Sequence, residues 1–274
     1  MKILDTYDNI NQCFTNEKFD IDKWTEYADG IISNLSKKLK NDIAGYDFEK
    51  EVLPVIYDFL KNKEKADLAH YIFLNITSDL SKNFIEIFNE DINVTVVLYL
   101  GLCNGAGWAT EVNGEKTVLL GIEKILELSW YDKRSMLGLV YHEIGHIYHF
   151  LNRKITDNLK TEKERAFFQL YTEGVAMYIE QLLCKDMSFY HQDVDGWLVW
   201  CNINKTRLYK LFLERIENRE GTQCFFGDWN SIEGKSDIGY YLGCELIKKL
   251  AEKYSFKEIL NIDLQIIERA LKNI

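Results

Sequence analysis

Proline and long apolar runs are both scarce in this sequence. Pro54 is the single proline among 274 residues, and because proline ends or kinks helices, its scarcity favours a mainly helical protein. No uninterrupted apolar run approaches the roughly 20 residues that cross a bilayer, so no membrane span is expected. The N-terminal segment also lacks the apolar core of a secretory signal, and a cytoplasmic location is therefore predicted.

The sequence also lacks paired cysteines and clusters of basic residues. The six cysteines are widely scattered and form no C-x-x-C pair, which argues against a zinc ribbon and favours free thiols. Basic clusters are missing, and 43 acidic against 33 basic side chains give a net charge of −10, so nucleic acid is not expected as a partner. Hydrophobic residues, in contrast, make up 47% of the chain, which is ample for a packed core.

Hydrophobic periodicity divides the chain into three regions. Residues 1–90 carry apolar side chains at helical spacing and are predicted to form a helical N-terminal region. Residues 91–190 combine β-branched segments with two helical ones, and residues 191–274 return to helical patterns. The predicted fold class is α+β, mainly α, with a small mixed β-sheet in the central region.

Strand signals lie at the start of the central region. The segment NVTVVLYL at 93–100 predicts a buried strand, and two short strands flank Asn113-Gly114, a dipeptide typical of hairpin turns. Helical periodicity follows over residues 132–151 and 161–183, and Thr161 with Glu164 forms the pattern of a capping box. A small sheet is therefore expected to precede two helices.

Three of the five histidines crowd into one segment, YHEIGHIYHF, which contains H-E-x-x-H at 142–146. Residues four apart project to the same side of a helix, so His142 and His146 can both bind one zinc ion. Glu143 lies about 100° from His142 around the helix axis, within reach of a metal-activated water. This position suits a general base that takes a proton from that water.

A catalytic zinc site needs a third protein ligand. The extended motif with a third histidine fails, because Asn152 stands where that histidine belongs, and His149 lies too far along the helix to close the same tetrahedron. We therefore interpret His149 as a cleft-wall residue, with core packing as the alternative. Glu173, in the segment YTEGVA, is the predicted third ligand, and Glu180 is the second choice.

These motifs resemble those of the gluzincin metallopeptidases, whose third zinc ligand is a downstream glutamate. The segment GYYLG at 239–243 is also similar to the G-Y-x-x-G of a bacterial family of predicted zinc-dependent proteases. The resemblance implies a zincin-like catalytic core in residues 91–190, with the C-terminal helical region completing the cleft. It also implies that Tyr240, or its neighbour Tyr241, donates a hydroxyl to the developing oxyanion.

The implied function is zinc-dependent hydrolysis of a peptide or protein substrate by a metal-activated water. An endopeptidase is favoured over an aminopeptidase, because the segment GAGWAT at 105–110 lacks the glutamate that zinc aminopeptidases carry in G-x-M-E-N. A catalytically silent zinc-binding regulator and a helical structural protein with a chance motif are the alternatives. The substrate is expected to add to an edge strand, either 108–112 or 116–121. The oligomeric state stays open.

Overall fold

Residues 1–227 and 230–272 are described by the computed structural model of the chain. The structure is mainly helical with a small mixed sheet, which confirms the predicted α+β class at that level. The chain divides into two compact units, Met1–Ile147 and Tyr148–Ile274, whereas the sequence suggested three regions. The reason is that the N-terminal residues share the sheet with the central ones, as the strand pairing shows.

Residues 1–90 are mostly helical, as predicted, but they begin with a strand that the periodicity did not indicate. Strand β1 (Lys2–Asp5) pairs in parallel with a later strand, so that Lys2 lies opposite Thr95. A small hairpin and five helices follow: β2 (Phe14–Thr15), β3 (Lys18–Phe19), α1 (Ile21–Ile31), α2 (Leu35–Asp42), α3 (Leu53–Lys61), α4 (Lys63–Thr77) and α5 (Leu80–Phe88). Pro54 lies in the first turn of α3, where its missing N–H is not needed.

The central strands complete the sheet of the first unit. They are β4 (Thr95–Tyr99), β5 (Gly107–Val112) and β6 (Glu115–Gly121), and the sheet order is β1-β4-β6-β5. Strands β1 and β6 run parallel to β4, and β5 runs antiparallel to β6. The predicted hairpin at Asn113-Gly114 is confirmed, because both residues take the positive φ that such a turn requires. Of the two strands considered for the edge, β5 is the one that lies there.

Seven further α-helices lie in the described parts of the two units. They are α6 (Ile122–Glu127), α7 (Lys133–Asn152), α8 (Glu162–Leu183), α9 (Trp197–Asn218), α10 (Ile238–Ala251), α11 (Phe256–Ile259) and α12 (Leu264–Lys272). The division between the units falls inside α7. Helix α8 starts at the predicted capping box of Thr161 and Glu164. Within the described part of the chain, no helix has both the length and the apolar character that crossing a membrane requires.

Helices α8 and α10 of the second unit cross at two glycines. A Cβ atom on Gly174 would overlap the backbone of Gly243, and a Cβ on Gly243 would overlap Gly174 and the carbonyl of Leu170. The backbones therefore approach more closely than any other residue type permits. The crossing places the segment after Glu173 directly against the GYYLG segment, so two of the predicted motifs pack together within this unit.

Candidate metal centre and catalytic base

The two histidines of the H-E-x-x-H motif converge on α7. His142 Nε2 and His146 Nε2 lie 3.1 Å apart, and the two rings meet at an interplanar angle of 85°. Zinc–nitrogen bonds of about 2.05 Å at a tetrahedral angle place two nitrogens about 3.3 Å apart. The pair therefore has the spacing that one tetrahedral ion requires, and both imidazoles belong to the first unit.

Local sequence explains why α7 presents this pair. Asp132 caps the helix, because its Oδ1 accepts hydrogen bonds from the backbone N–H groups of Arg134 (2.9 Å) and Ser135 (3.1 Å). Val140 and Ile144 are completely buried and fix the rotation of the helix about its axis. His142 is buried at 2% exposure, whereas His146 is partly exposed, so the pair lies at the boundary of the core.

The edge strand β5 holds the carboxylate of Glu143. The backbone N–H of Ala109 donates to Glu143 Oε2 at 2.7 Å, and the side chain is buried. A Cβ atom on Gly107 would lie 2.7 Å from Glu143 Cγ and 2.8 Å from Leu139 Cδ1. Gly107 therefore provides the space in which the proposed base lies. The sequence indicated Glu143, and its glycines at 101, 105 and 107 marked turns or close backbone approach, but it did not show that Gly107 and Ala109 contact Glu143.

The bond to Glu143 also fixes which backbone groups of β5 face away from β6. Along an antiparallel strand, successive residues direct their backbone groups alternately toward and away from the neighbouring strand. Because Ala109 donates to Glu143 and the carbonyl of Ala106 accepts from Gly121 at 3.1 Å, the odd-numbered residues face outward. The open edge of the sheet therefore presents the peptide groups of Gly107 and Glu111 and the carbonyl of Ala109, whose N–H is already bonded to Glu143.

Enlarging Gly107 tests this support of the base. We expect Gly107→Ala to displace Glu143. If Glu143 acts as the base predicted from the sequence, kcat should fall by about 10- to 100-fold, since a misplacement near 1 Å has that effect on catalysis. The zinc content should not change, because neither imidazole is touched. Gly30→Ala is the matched control, since a Cβ there meets no atom within 4 Å. Equal kcat for the two variants would remove Gly107 from the support of the base.

Helix α8 carries both glutamates considered as the third ligand. Glu173 is half-buried, whereas the Glu180 carboxylate is fully buried, 2.9 Å from His191 Nδ1, and accepts the His191 backbone N–H at 3.2 Å. The sequence analysis assigned no role to His191 and therefore missed this pair. Among the described residues, His142 in the first unit and Glu180 and His191 in the second are buried groups of the type that can hold a metal ion.

His149 is part of a buried hydrogen-bond network in the second unit. The hydroxyl of Tyr171 donates to the carbonyl of Ile259 at 2.6 Å and accepts from Arg153 Nη1 at 3.0 Å. Because that hydroxyl proton is already committed, His149 Nε2, 3.0 Å away, must carry a proton and donate it to Tyr171. The interpretation of His149 as a cleft-wall residue is therefore replaced by the packing alternative: it ties the end of α7 to α8 and α11.

The two tyrosines of the GYYLG segment have different surroundings. Tyr241 is fully buried, and its hydroxyl donates to Asn202 Oδ1 at 2.8 Å. Burial raises the pKa of the Tyr241 hydroxyl well above its usual range. Tyr240 is half-buried, and the edge of its ring faces Phe226, with the ring centroids 6.0 Å apart. Tyr241 is thus committed to the core of the second unit, which favours Tyr240 as the hydroxyl donor.

The candidate residues thus form two sets. His142, Glu143 and His146 lie in the first unit, and Glu173 and Tyr240 lie in the second. Imidazoles, carboxylates and a phenol are the groups that metal-assisted hydrolysis employs. Comparisons of the chain with protein-family profiles, with curated proteins and with solved structures gave no match.

Proposed function

We propose that this chain is a zinc-dependent peptidase of the gluzincin type, with a zincin-like core. His142, His146 and Glu173 are the proposed zinc ligands, Glu143 the general base and Tyr240 the hydroxyl donor. The observation that carries the proposal is the 3.1 Å separation of the two Nε2 atoms, which suits one tetrahedral ion. Peptide or protein substrates and a cytoplasmic location remain predictions from the sequence.

The donor set fits zinc rather than a hard cation. Imidazole nitrogen is a preferred ligand of zinc, whereas magnesium and calcium select oxygen ligands. Two imidazoles and one carboxylate leave a fourth position, as catalytic zinc sites do. A bound zinc ion would supply Lewis acidity, which acidifies a water molecule and polarises the scissile carbonyl.

Glu143 is the proposed proton carrier. Its Oε2 accepts the Ala109 N–H, which orients the carboxylate. In the proposed reaction, the carboxylate takes a proton from the attacking water and delivers it to the nitrogen of the leaving amine. The Tyr240 hydroxyl would donate a hydrogen bond to the oxygen that gains negative charge.

Strand β5 is the proposed platform for the substrate. The outward groups that remain, those of Gly107 and Glu111 and the Ala109 carbonyl, would let a peptide add as another strand. This mode of binding recognises the main chain rather than particular side chains. This binding would bring the substrate alongside Ala109, the residue that bonds Glu143. Since residues 105–110 contain no carboxylate to bind a free amino terminus, we favour internal cleavage.

A peptide library tests the proposal directly. The protein is loaded with zinc, incubated with matched N-acetylated and free peptides, and the products are identified by mass spectrometry. We expect internal cleavage in both sets, loss of cleavage after chelation, and recovery when zinc is restored. Release of N-terminal residues from free peptides alone would instead support an aminopeptidase. Zinc binding without cleavage would support the silent regulator, and absence of zinc binding would overturn both.

The tyrosine assignment has its own test. We expect Tyr240→Phe to lower kcat by about 10- to 100-fold with little change in the melting temperature, because it removes one donor to the oxyanion. Tyr241→Phe should do the reverse: it removes a buried hydrogen bond to Asn202 and reduces the free energy of unfolding by about 1 kcal/mol. An effect of Tyr241→Phe on kcat larger than that of Tyr240→Phe would contradict the assignment.

A further inference from the structure

A buried carboxyl group lies at the start of α6, outside the proposed centre. Glu123 is 1% exposed, and its Oε2 accepts the backbone N–H of Gly101 at 2.9 Å while its Oε1 accepts that of Cys103 at 3.2 Å. A Cβ atom on Gly101 would overlap Glu123 Oε1, so this glycine permits the close approach. A buried carboxylate needs such donors, because desolvation strongly disfavours an unpaired charge.

The two N–H groups belong to the turn that joins β4 to β5. This turn, residues 101–106, is also held by Asn104, whose Oδ1 accepts the Leu102 N–H at 3.1 Å and whose Nδ2 donates to the Leu39 carbonyl at 2.9 Å. Cys103 has a φ of 63°, a left-handed conformation that a residue with a side chain takes only when its surroundings impose it. Glu123 accepts a hydrogen bond from the N–H of Cys103, so it helps to impose this left-handed conformation.

Strand β5 begins at the end of this turn, and its third residue bonds the proposed base. The chain of contacts runs from the Glu123 carboxylate through the turn to Gly107, against which Glu143 packs, and to the Ala109 N–H. We propose that Glu123 is a positioning residue, which fixes β5 so that Ala109 and Gly107 hold Glu143 in place. The inference rests on the proposed function in one respect, the role of Glu143 as base.

The charge state of Glu123 offers a way to observe its influence on the position of β5. Burial raises the pKa of Glu123 to about 7, and the N–H donors and Lys124 partly oppose the increase. The phenols of Tyr27 and Tyr99 also interact electrostatically with Glu123, and both stay protonated in this range. When Glu123 is protonated, one of its two oxygens carries the proton and becomes a donor. The carboxyl group then no longer accepts equally well from both N–H groups.

The sign of the effect on stability follows from linkage. The folded-state pKa is about 7 and the ordinary value is 4.5, so the folded protein binds a proton between these pH values that the unfolded chain does not. The contribution of Glu123 to stability therefore falls as pH rises through this window. The hydrogen bonds to the turn are strongest above it, where the carboxylate is ionised. Ionisation of Glu123 thus strengthens its hydrogen bonds to the turn but lowers the free energy of unfolding of the protein.

Backbone amide chemical shifts test the linkage without any need for activity. The parent for the titration is Glu143→Gln, which removes the charge of the base itself, labelled with ¹⁵N and measured from about pH 5.5 to 8.5. We expect the amides of Gly101, Cys103 and Ala109 to shift together, with one midpoint near 7. Adding Glu123→Gln should abolish the transition at all three, whereas adding Glu64→Gln, an exposed change on α4, should leave it.

Each outcome has a defined meaning. The inference is overturned if Gly101 and Cys103 titrate while Ala109 does not, and this comparison needs only the Glu143→Gln protein, even if Glu123→Gln fails to fold. It is also overturned if the Ala109 transition persists in the double variant. With Glu143 restored, zinc-loaded Glu123→Gln should show a kcat about tenfold lower and a KM within about twofold of the Glu64→Gln control. A parent without peptidase activity would remove the proposed function, while the amide titration would still decide whether Glu123 positions β5.

Discussion

Replacing His146 by alanine is expected to abolish stoichiometric zinc binding. The native chain should retain about one zinc ion after dialysis, because a site of two imidazoles and a carboxylate binds zinc tightly at neutral pH. His146→Ala removes one of the two nitrogens that lie 3.1 Å apart and leaves His142 as the sole imidazole in the proposed ligand set. We expect the affinity to fall by at least about a hundredfold, more than the loss of a ligand's supporting hydrogen bond produces. Elemental analysis and competition with a chelator measure both quantities.

Three further variants make this result specific. His70→Ala removes a histidine that is bonded to Asp5, far along the sequence from the motif, and should retain zinc. Glu173→Ala should weaken zinc binding as His146→Ala does. Glu180→Gln should chiefly destabilise the fold, because it alters a fully buried carboxylate bonded to His191. A native protein without zinc would overturn the metal centre, and a stronger effect at Glu180 than at Glu173 would transfer the ligand assignment to Glu180.

Glu143→Gln is expected to retain zinc and to lower kcat by about 10³-fold. A glutamine has nearly the same shape, and its amide oxygen can still accept the Ala109 N–H, so the local structure should persist. It cannot take a proton from water, and general-base catalysis contributes about 10² to 10⁴ to the rate. The measurement is kcat on a cleaved peptide identified from the library, with the zinc content determined on the same sample.

The matched control for the base is Glu115→Gln. Glu115 is an exposed carboxylate at the start of β6, in the hairpin that carries the edge strand, so its replacement changes the same charge at the surface. It should have the kcat of the native protein. Equal activity of Glu143→Gln and Glu115→Gln would exclude Glu143 as the base. A loss of zinc in Glu143→Gln would show instead that the substitution disturbs the neighbouring histidines.

Features encoded by near neighbours were predicted correctly. The Asn113-Gly114 turn, the capping box at Thr161 and the long helix around the H-E-x-x-H motif depend on residues within a few positions of one another. The convergence of His142 and His146 belongs to the same class, because a helix brings positions four apart to one side whatever surrounds it. These properties could be inferred from the sequence because their energetics are local.

Features that depend on distant residues could not be inferred in this way. Residues 2–5 are too few to show a strand period, and their pairing with β4 exists only once the sheet forms. The outer position of β5 follows from strand order, which single-sequence patterns do not encode. The bond from Ala109 to Glu143 spans 34 residues, and the bond from Cys103 to Glu123 spans 20.

The sequence by itself therefore determined the chemistry available to this protein: two imidazoles and a carboxylate at helical spacing, with further glutamates and tyrosines downstream. Tertiary structure decided which of these groups are hydrogen-bonded to other parts of the protein. It bonds Tyr241 to Asn202, His149 to Tyr171 and Glu180 to His191, and it holds Glu143 against the edge strand. The physical reason is that a buried polar group must find a partner, and only the folded chain determines which partner is within reach.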